Sequence, residues 1–376
     1  MTASKVFIFA PADESGETHR QLEEAGCELV LGKASWETPL GDNEAEMTEM
    51  ARGADALMGT SIRSSPITRR IMQSSEAVRI VAKYTIGVDD VDVQAATDLG
   101  ILVTHSPTES NWGGVAEGTV ALMLCLLKRL RERDAHLKSG GHWRDERLQG
   151  RYVGRREEDG YGGLVLGLVG LGRIGRRVAR LLQGWDVRIL ACDPYVPDEE
   201  FAKAGVERTD YQTLLRESDV VSFHVVLTPE TRHMLSVREL ALMKPDAILL
   251  NTSRGYVVDQ AALAQALEAG QIAAAALDVF EDEPLAADSP LRQLGDRVLL
   301  SPHMISSNLG SGLKPGIAWA TRSVLRALRG EVPDNVFNTE VIPRWRERFG
   351  GRNVLSGAAR PAVAGAQVRS SLAPDS

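Results

Sequence analysis

The chain has 376 residues, 43% hydrophobic and 25% charged, with a net charge of −8 and a pI near 5.5. That balance suits about two packed domains and excludes a chain that is mostly disordered. It also argues against nucleic acid as the main partner. The longest unbroken apolar run, Val120–Leu127, is far too short to span a membrane, so no membrane partner is expected. Three cysteines (Cys27, Cys125, Cys192) lack metal-ligand spacing, which points to no metal site and to a reducing, cytoplasmic location.

In chain order, the first hundred residues alternate short apolar runs with polar helical stretches. Strands are expected at Lys5–Phe9, Cys27–Leu31, Ala54–Met58, Val78–Lys83 and Gly100–Thr104. Helices are expected at Ser15–Ala25, Asn43–Arg52, Pro66–Ser74 and Gln94–Leu99. Such alternation implies a parallel sheet covered on both faces. One long helix is predicted from Gly114 to Ser139, with an apolar first half and a charged, solvated second half. From Gly162 a second alternating set begins, with strands at Val165–Val169, Val187–Cys192, Val220–Val226, Ala247–Asn251, Ala273–Val279 and Val298–Ser301. A further helix is predicted over Pro315–Arg329, and Gly350–Ser376 reads as a flexible tail.

The clearest local signal is Gly170-Leu171-Gly172-Arg173-Ile174-Gly175. An apolar strand precedes it and an amphipathic helix follows. Glycines there permit a tight turn and a close approach of backbone to a pyrophosphate, which the helix N-terminus then faces. Asp193 ends the next strand, placed to accept hydrogen bonds from an adenosine ribose and to repel a 2′-phosphate. The expected cofactor is therefore NAD rather than NADP.

Ligands of open α/β sheets bind beyond the carboxyl ends of the strands. Arg254, Asp278, Glu283 and His303 all fall just past predicted strand ends. A guanidinium grips a carboxylate with two prongs. A histidine exchanges a proton with a carbonyl oxygen, and a neighbouring carboxylate orients it and stabilises its charged form. Asp278 is read either as a group that positions the cofactor site or as a loop cap. His224 is read as a mid-strand core histidine, and His105 as a strand-end residue of the first domain that could border the cofactor.

The segments KYTIGVDDVDVQAATDLGILV, SPTESNWGGVAEGT, GLVGLGRIG, ACDPY, NTSRGYVVD, ALDVFEDEPL and SPHMISSN resemble the D-isomer-specific 2-hydroxyacid dehydrogenases. The resemblance implies an α/β architecture in which a Rossmann dinucleotide-binding domain is inserted into a flavodoxin-like substrate domain. The implied boundaries are 1–111 with 308–345 for the substrate domain and 112–307 for the NAD domain, with the site in the cleft between them. It implies Arg254 as the carboxylate and carbonyl anchor, Glu283 as carboxylate partner and His303 as acid/base. Ile86 and Gly87 would offer backbone amides to the substrate. Arg173, Ile174, Asp193, Thr228, Thr252 and Asp278 would contact the cofactor. A homodimer is implied, with the helix from Gly114 at its contact.

The function expected from this is NAD-dependent interconversion of a 2-oxo acid and a D-2-hydroxy acid. An NADH-sensing corepressor-like protein or a phosphite-type oxyanion dehydrogenase are the alternatives, since relatives of both kinds keep the same three residues. Arg63, Tyr84, Thr85 and Trp112 are candidates for the wall that meets the substrate's side chain. The charged segment 140–163 is expected at the surface. About 45 residues follow Gly330, too few for the regulatory domain of long phosphoglycerate dehydrogenases.

Overall fold

The computed structural model describes residues 3–33, 43–61, 65–308 and 313–355. Among the described residues, twelve strands form two sheets. The first holds β1 (Ser4–Ala10), β2 (Cys27–Leu31), β3 (Ala56–Gly59), β4 (Ile80–Lys83) and β5 (Leu102–Thr104), in the order β2-β1-β3-β4-β5. The second holds β6 (Val165–Val169), β7 (Arg188–Cys192), β8 (Glu207–Arg208), β9 (Val220–Phe223), β10 (Ile248–Asn251), β11 (Ala274–Leu277) and β12 (Val298–Leu300). Its order is β12-β11-β10-β9-β6-β7-β8. Every pairing within both sheets is parallel. Both faces of a parallel sheet are covered by its crossover helices, so the strands read as continuous apolar runs: β3, β4, β9 and β10 are buried at every position.

The chain divides into two compact units, residues up to Ser106 with those from Gly316 onward, and Pro107–Pro315. The second unit is thus inserted into the first. Its sheet carries the Rossmann arrangement, with the first strand β6 flanked by β7 and β9, so that the strand order reverses beside the glycine turn. The first sheet has the flavodoxin-like order. No described helix is long and apolar enough to cross a membrane, and no described group of three or more His, Cys, Asp or Glu side chains could hold a metal ion.

The long helix expected over Gly114–Ser139 is two helices, Glu109–Leu127 and Leu130–Lys138. Arg129 between them is left-handed, at φ 52°. The Arg151 amide donates to the Leu127 carbonyl at 2.8 Å, and Lys128 Nζ donates to the Arg151 carbonyl at 2.7 Å. The segment around Gly150 therefore takes the place of the next helical turn. Most of segment 140–163 is surface, as Trp143 at 75% exposure shows. Val153 nevertheless is buried, and Arg156 stacks on both Tyr152 and Tyr161, 4.8 and 4.9 Å from their ring centres.

Of the tail expected over Gly350–Ser376, residues 350–355 are held in place, and 356–376 lie outside the described residues. The Gly351 amide donates to Gly330, the Val354 amide donates to Leu328, and the Ser4 hydroxyl donates to the Val354 carbonyl. Leu355 is buried. Arg79, itself buried, donates to the carbonyls of Ala327, Leu328 and Arg352. The residues look tail-like because their apolar content is low, but they supply backbone acceptors that a buried guanidinium requires. A chain ended after Gly350 is expected to lose roughly 1–3 kcal/mol of stability from the Arg79 contact alone, since a buried charged donor is left short of a partner. A chain ended after Leu355 keeps that contact. Chemical denaturation of the two truncations checks this, and equal midpoints would refute it.

Candidate active site

Because the second sheet is all parallel, the residues after its strands share one edge. Gly170 follows β6, Asp193 follows β7, and Thr228 lies in the loop after β9. Thr252 and Arg254 follow β10, Asp278 and Glu283 follow β11, and His303 follows β12. This common edge brings the sequence-predicted residues of the second unit together.

The glycine turn has the shape a dinucleotide needs. Gly170 is at φ 97°, and a Cβ there would lie 2.6 Å from the His224 carbonyl. A Cβ on Gly175 would lie within 2.3 Å of the Gly170 carbonyl, so the helix Arg173–Leu182 must start close to the strand. Gly172, by contrast, faces open space, with no atom within 4 Å of a Cβ built there. Arg173 and Ile174 open the helix, so their amides belong to its unpaired first turn. Asp193 Oδ2 accepts from the Leu171 amide at 2.9 Å and Oδ1 from the Tyr195 amide at 3.0 Å. Those two bonds fix the carboxylate beside the turn and leave each oxygen a lone pair for a ribose hydroxyl. The residues fit an NAD(H) adenosine and pyrophosphate.

Around the turn, Thr252 is buried and its hydroxyl pairs with that of Thr119 at 2.9 Å. The Thr228 amide donates to the Thr231 hydroxyl at 2.7 Å. His224 is not inside a strand but just past the end of β9. Its Nε2 lies 2.9 Å from the Ser222 hydroxyl, while Nδ1 is buried without a partner among the described residues. Burial pushes this imidazole down to about 4, so it is neutral at ordinary pH.

Glu283 and His303 meet directly. His303 Nδ1 lies 2.8 Å from Glu283 Oε2, and Glu283 Oε1 accepts from the Phe280 amide at 3.0 Å. A carboxylate can only accept, so Nδ1 carries the hydrogen and Nε2 is left for chemistry. The Glu283 side chain is 12% exposed and that of His303 40%. The histidine backbone is left-handed, at φ 55°, a conformation that needs support from its surroundings. Asp278 supplies that support. It is 2% exposed, and it accepts from the Ser301 hydroxyl at 2.5 Å and from the Met304 and Ile305 amides at 3.0 and 3.2 Å. These donors bracket His303 on both sides. Burial raises the Asp278 carboxyl above its usual range, against the lowering effect of these donors and of His303. Of the two sequence readings of Asp278, the loop cap is the one with visible bonds.

Three glycines not among the sequence-predicted site residues seat this loop and its neighbour. A Cβ on Gly118 would collide with Ile305 Cγ1 at 2.2 Å, and one on Gly114 would lie 2.6 Å from Asn308 Nδ2. The helix Glu109–Leu127 thus presents a smooth glycine face on which the segment after His303 lies. The four-residue spacing of Gly114 and Gly118 was the available signal. Gly255 packs so closely on the Phe280 backbone that a Cβ would sit 1.9 Å from it, which draws the Arg254 loop against the strand end that leads to Glu283. Arg254 itself is half-buried. Its carbonyl accepts from Asn251 Nδ2 at 2.9 Å, and its guanidinium donates to the Ser253 carbonyl at 2.7 Å.

In the first unit, Ile86 and Gly87 lie in the loop after β4. Its carbonyls are taken by the protein: Ser106 Oγ donates to Lys83, the Ser106 amide to Thr85, the Thr85 hydroxyl to Gly87, and the Val91 amide to Val88. His105 Nδ1 lies 3.3 Å from the Ile86 carbonyl, so this histidine braces the loop from the end of β5. The Ile86 and Gly87 amides have no acceptor among the described residues. Tyr84, expected as a pocket wall, is instead buried at 2% exposure. Arg63 lies outside the described residues.

A family model described as D-isomer specific 2-hydroxyacid dehydrogenase, NAD binding domain, matches residues 120–304. The chain is 39% identical over 314 residues to glyoxylate reductase of Korarchaeum cryptofilum, across 82% of this chain and 90% of that protein. It is 37% identical over 324 residues to D-3-phosphoglycerate dehydrogenase of Methanocaldococcus jannaschii, across 86% of this chain but only 59% of that longer protein. Among solved structures it resembles D-lactate dehydrogenase from Aquifex aeolicus complexed with NAD and lactic acid. That match has a TM-score of 0.73 and 27% identity, and it covers 91% of this chain and 98% of the other. With the glycine turn, Asp193 beside it and the strand-end residues already described, the chain belongs to the D-isomer-specific 2-hydroxyacid dehydrogenase family, and its cofactor is NAD.

Proposed function

We propose that the protein reduces a 2-oxo acid to the D-2-hydroxy acid with NADH, or runs the reverse reaction. The reading rests above all on the Glu283–His303 pair, with Nδ1 held at 2.8 Å from the carboxylate and Nε2 left to act. His303 gives its Nε2 proton to the substrate's carbonyl oxygen, and in the reverse direction takes it from the hydroxyl. Glu283 orients the ring and balances its positive charge. Arg254 holds the substrate carboxylate and polarises the carbonyl. The Ile86 and Gly87 amides, which have no acceptor among the described residues, add two donors for an anionic oxygen, on a loop whose carbonyls are already tied down. Bound nicotinamide supplies or receives the hydride. Residues Arg173, Ile174, Asp193, Thr228, Thr252 and Asp278 are proposed to line the cofactor.

A screen of NADH oxidation over glyoxylate, hydroxypyruvate, pyruvate, phenylpyruvate, 2-oxoglutarate and phosphohydroxypyruvate tests the reading. NADH binding with no turnover on any of them would favour a sensing role instead.

The working unit is proposed to be a homodimer. Leu130, Leu137, Trp143 and Tyr152 are large apolar side chains, each at least half exposed, and they cluster in one stretch of the second unit. Sedimentation at micromolar concentration is expected to return twice the chain mass. A monomer there would remove the proposal.

A further inference from the structure

We infer that the buried Lys83–Asp90 ion pair is a positioning device that sets the shape of the loop carrying the Ile86 and Gly87 amides. The inference rests on the functional reading above. Lys83 ends β4 and Asp90 closes the loop that follows, so the pair joins the loop's two ends. Both side chains are removed from solvent, at 0% and 1% exposure. Lys83 Nζ lies 2.6 Å from Asp90 Oδ2, donates to the Thr60 carbonyl at 2.9 Å, and sits 5.2 Å from the centre of the Phe9 ring. Two of the ammonium's three N–H groups thus meet oxygen acceptors, and the Phe9 ring lies within cation–π range. The Asp90 carbonyl in turn accepts from the Ile67 amide at 2.7 Å. The loop is thereby tied to the ends of β1 and β3 as well as to its own strand.

Stability alone does not explain such a pair. Taking two ions out of water costs about as much as their attraction returns, and well-packed apolar replacements are often neutral or better. Here the desolvation is visible as a lowered Lys83 ammonium, opposed by Asp90. What the pair supplies that apolar residues do not is direction: a short bond of fixed geometry between loop end and strand end. Two amides must point at one carboxylate, so small errors in loop shape carry large kinetic costs. The pair has a second effect. Without its ammonium, the Asp90 carboxylate would set a negative charge in the loop that is to receive an anion.

The test is the full-length protein carrying Lys83→Met together with Asp90→Asn. This change removes both charges and leaves an uncharged amide at position 90. The expected result is a melting temperature close to wild type, a KM for the 2-oxo acid raised roughly 10–100-fold, and an NADH dissociation constant within about twofold. Calorimetry with oxalate, an unreactive stand-in for the substrate carboxylate, is expected to show the same loss. A folded double variant with unchanged KM and unchanged oxalate affinity overturns the inference. If the double variant does not fold, Asp90→Asn alone carries the test, with the same readouts and the same overturning result. If the wild-type protein neither turns over any 2-oxo acid nor binds oxalate, the functional reading fails. Hydrogen exchange across Lys83–Val91 then decides about the pair by itself: faster exchange in the variant supports the brace, and unchanged exchange overturns it.

Discussion

Replacing His303 with alanine is expected to lower turnover by roughly 10²–10⁴-fold, the usual worth of a positioned general acid, while NADH binding persists. The split follows from where the ring sits. Nδ1 is engaged by Glu283 at 2.8 Å, so the imidazole acts through Nε2. The glycine turn and Asp193, proposed to hold the adenosine end of the cofactor, follow β6 and β7, whereas His303 follows β12 at the far end of the sheet. Glu283→Gln keeps the shape and can still accept a hydrogen bond from Nδ1, but it removes the charge that balances the imidazolium. Turnover is expected to fall in that variant too, and combining it with His303→Ala should add little, because the two groups act as a unit. Steady-state kinetics and NADH fluorescence titration separate the effects. A His303→Ala protein with near wild-type turnover, or one that has lost NADH binding as its main defect, would contradict the assignment.

Arg254→Lys is the second large effect. Lysine keeps the charge but not the planar fork. Losing a charged hydrogen bond of about 1.5–3 kcal/mol lowers kcat/KM for the 2-oxo acid by roughly 10–150-fold. Both constants should move, since the guanidinium is asked to hold the carboxylate and to polarise the carbonyl. The backbone around Arg254 should survive the change, because Asn251 bonds its carbonyl and Gly255 seats the loop on Phe280 independently of the side chain. Unaltered oxo acid kinetics in the lysine variant would make Arg254 a structural strand-end residue.

The two alternating sets of strands and helices, the glycine turn with Asp193, and the family resemblance are all readable from the order of residues along the chain. The same order singles out Arg254, Asp278, Glu283 and His303. These features are legible because each is local. A parallel strand buried on both faces is a short apolar run, and a residue just past it falls on the sheet edge whatever the rest of the chain does.

Contacts between distant segments emerge only from the folded packing. That Glu283 meets His303, that Asp278 brackets the histidine loop, and that Lys83 pairs with Asp90 across a loop depend on packing rather than on pattern. The break at Arg129 arises because residues near Gly150 dock where the helix would have continued. Gly114 and Gly118 weaken a helix by propensity, yet here they are where the segment after His303 comes to rest. Residues 351–355 look like a tail by composition and are held by a buried arginine 273 positions away from Arg352. In each case a local preference of under about 1 kcal/mol per residue is outweighed by contacts that exist only once the chain has folded.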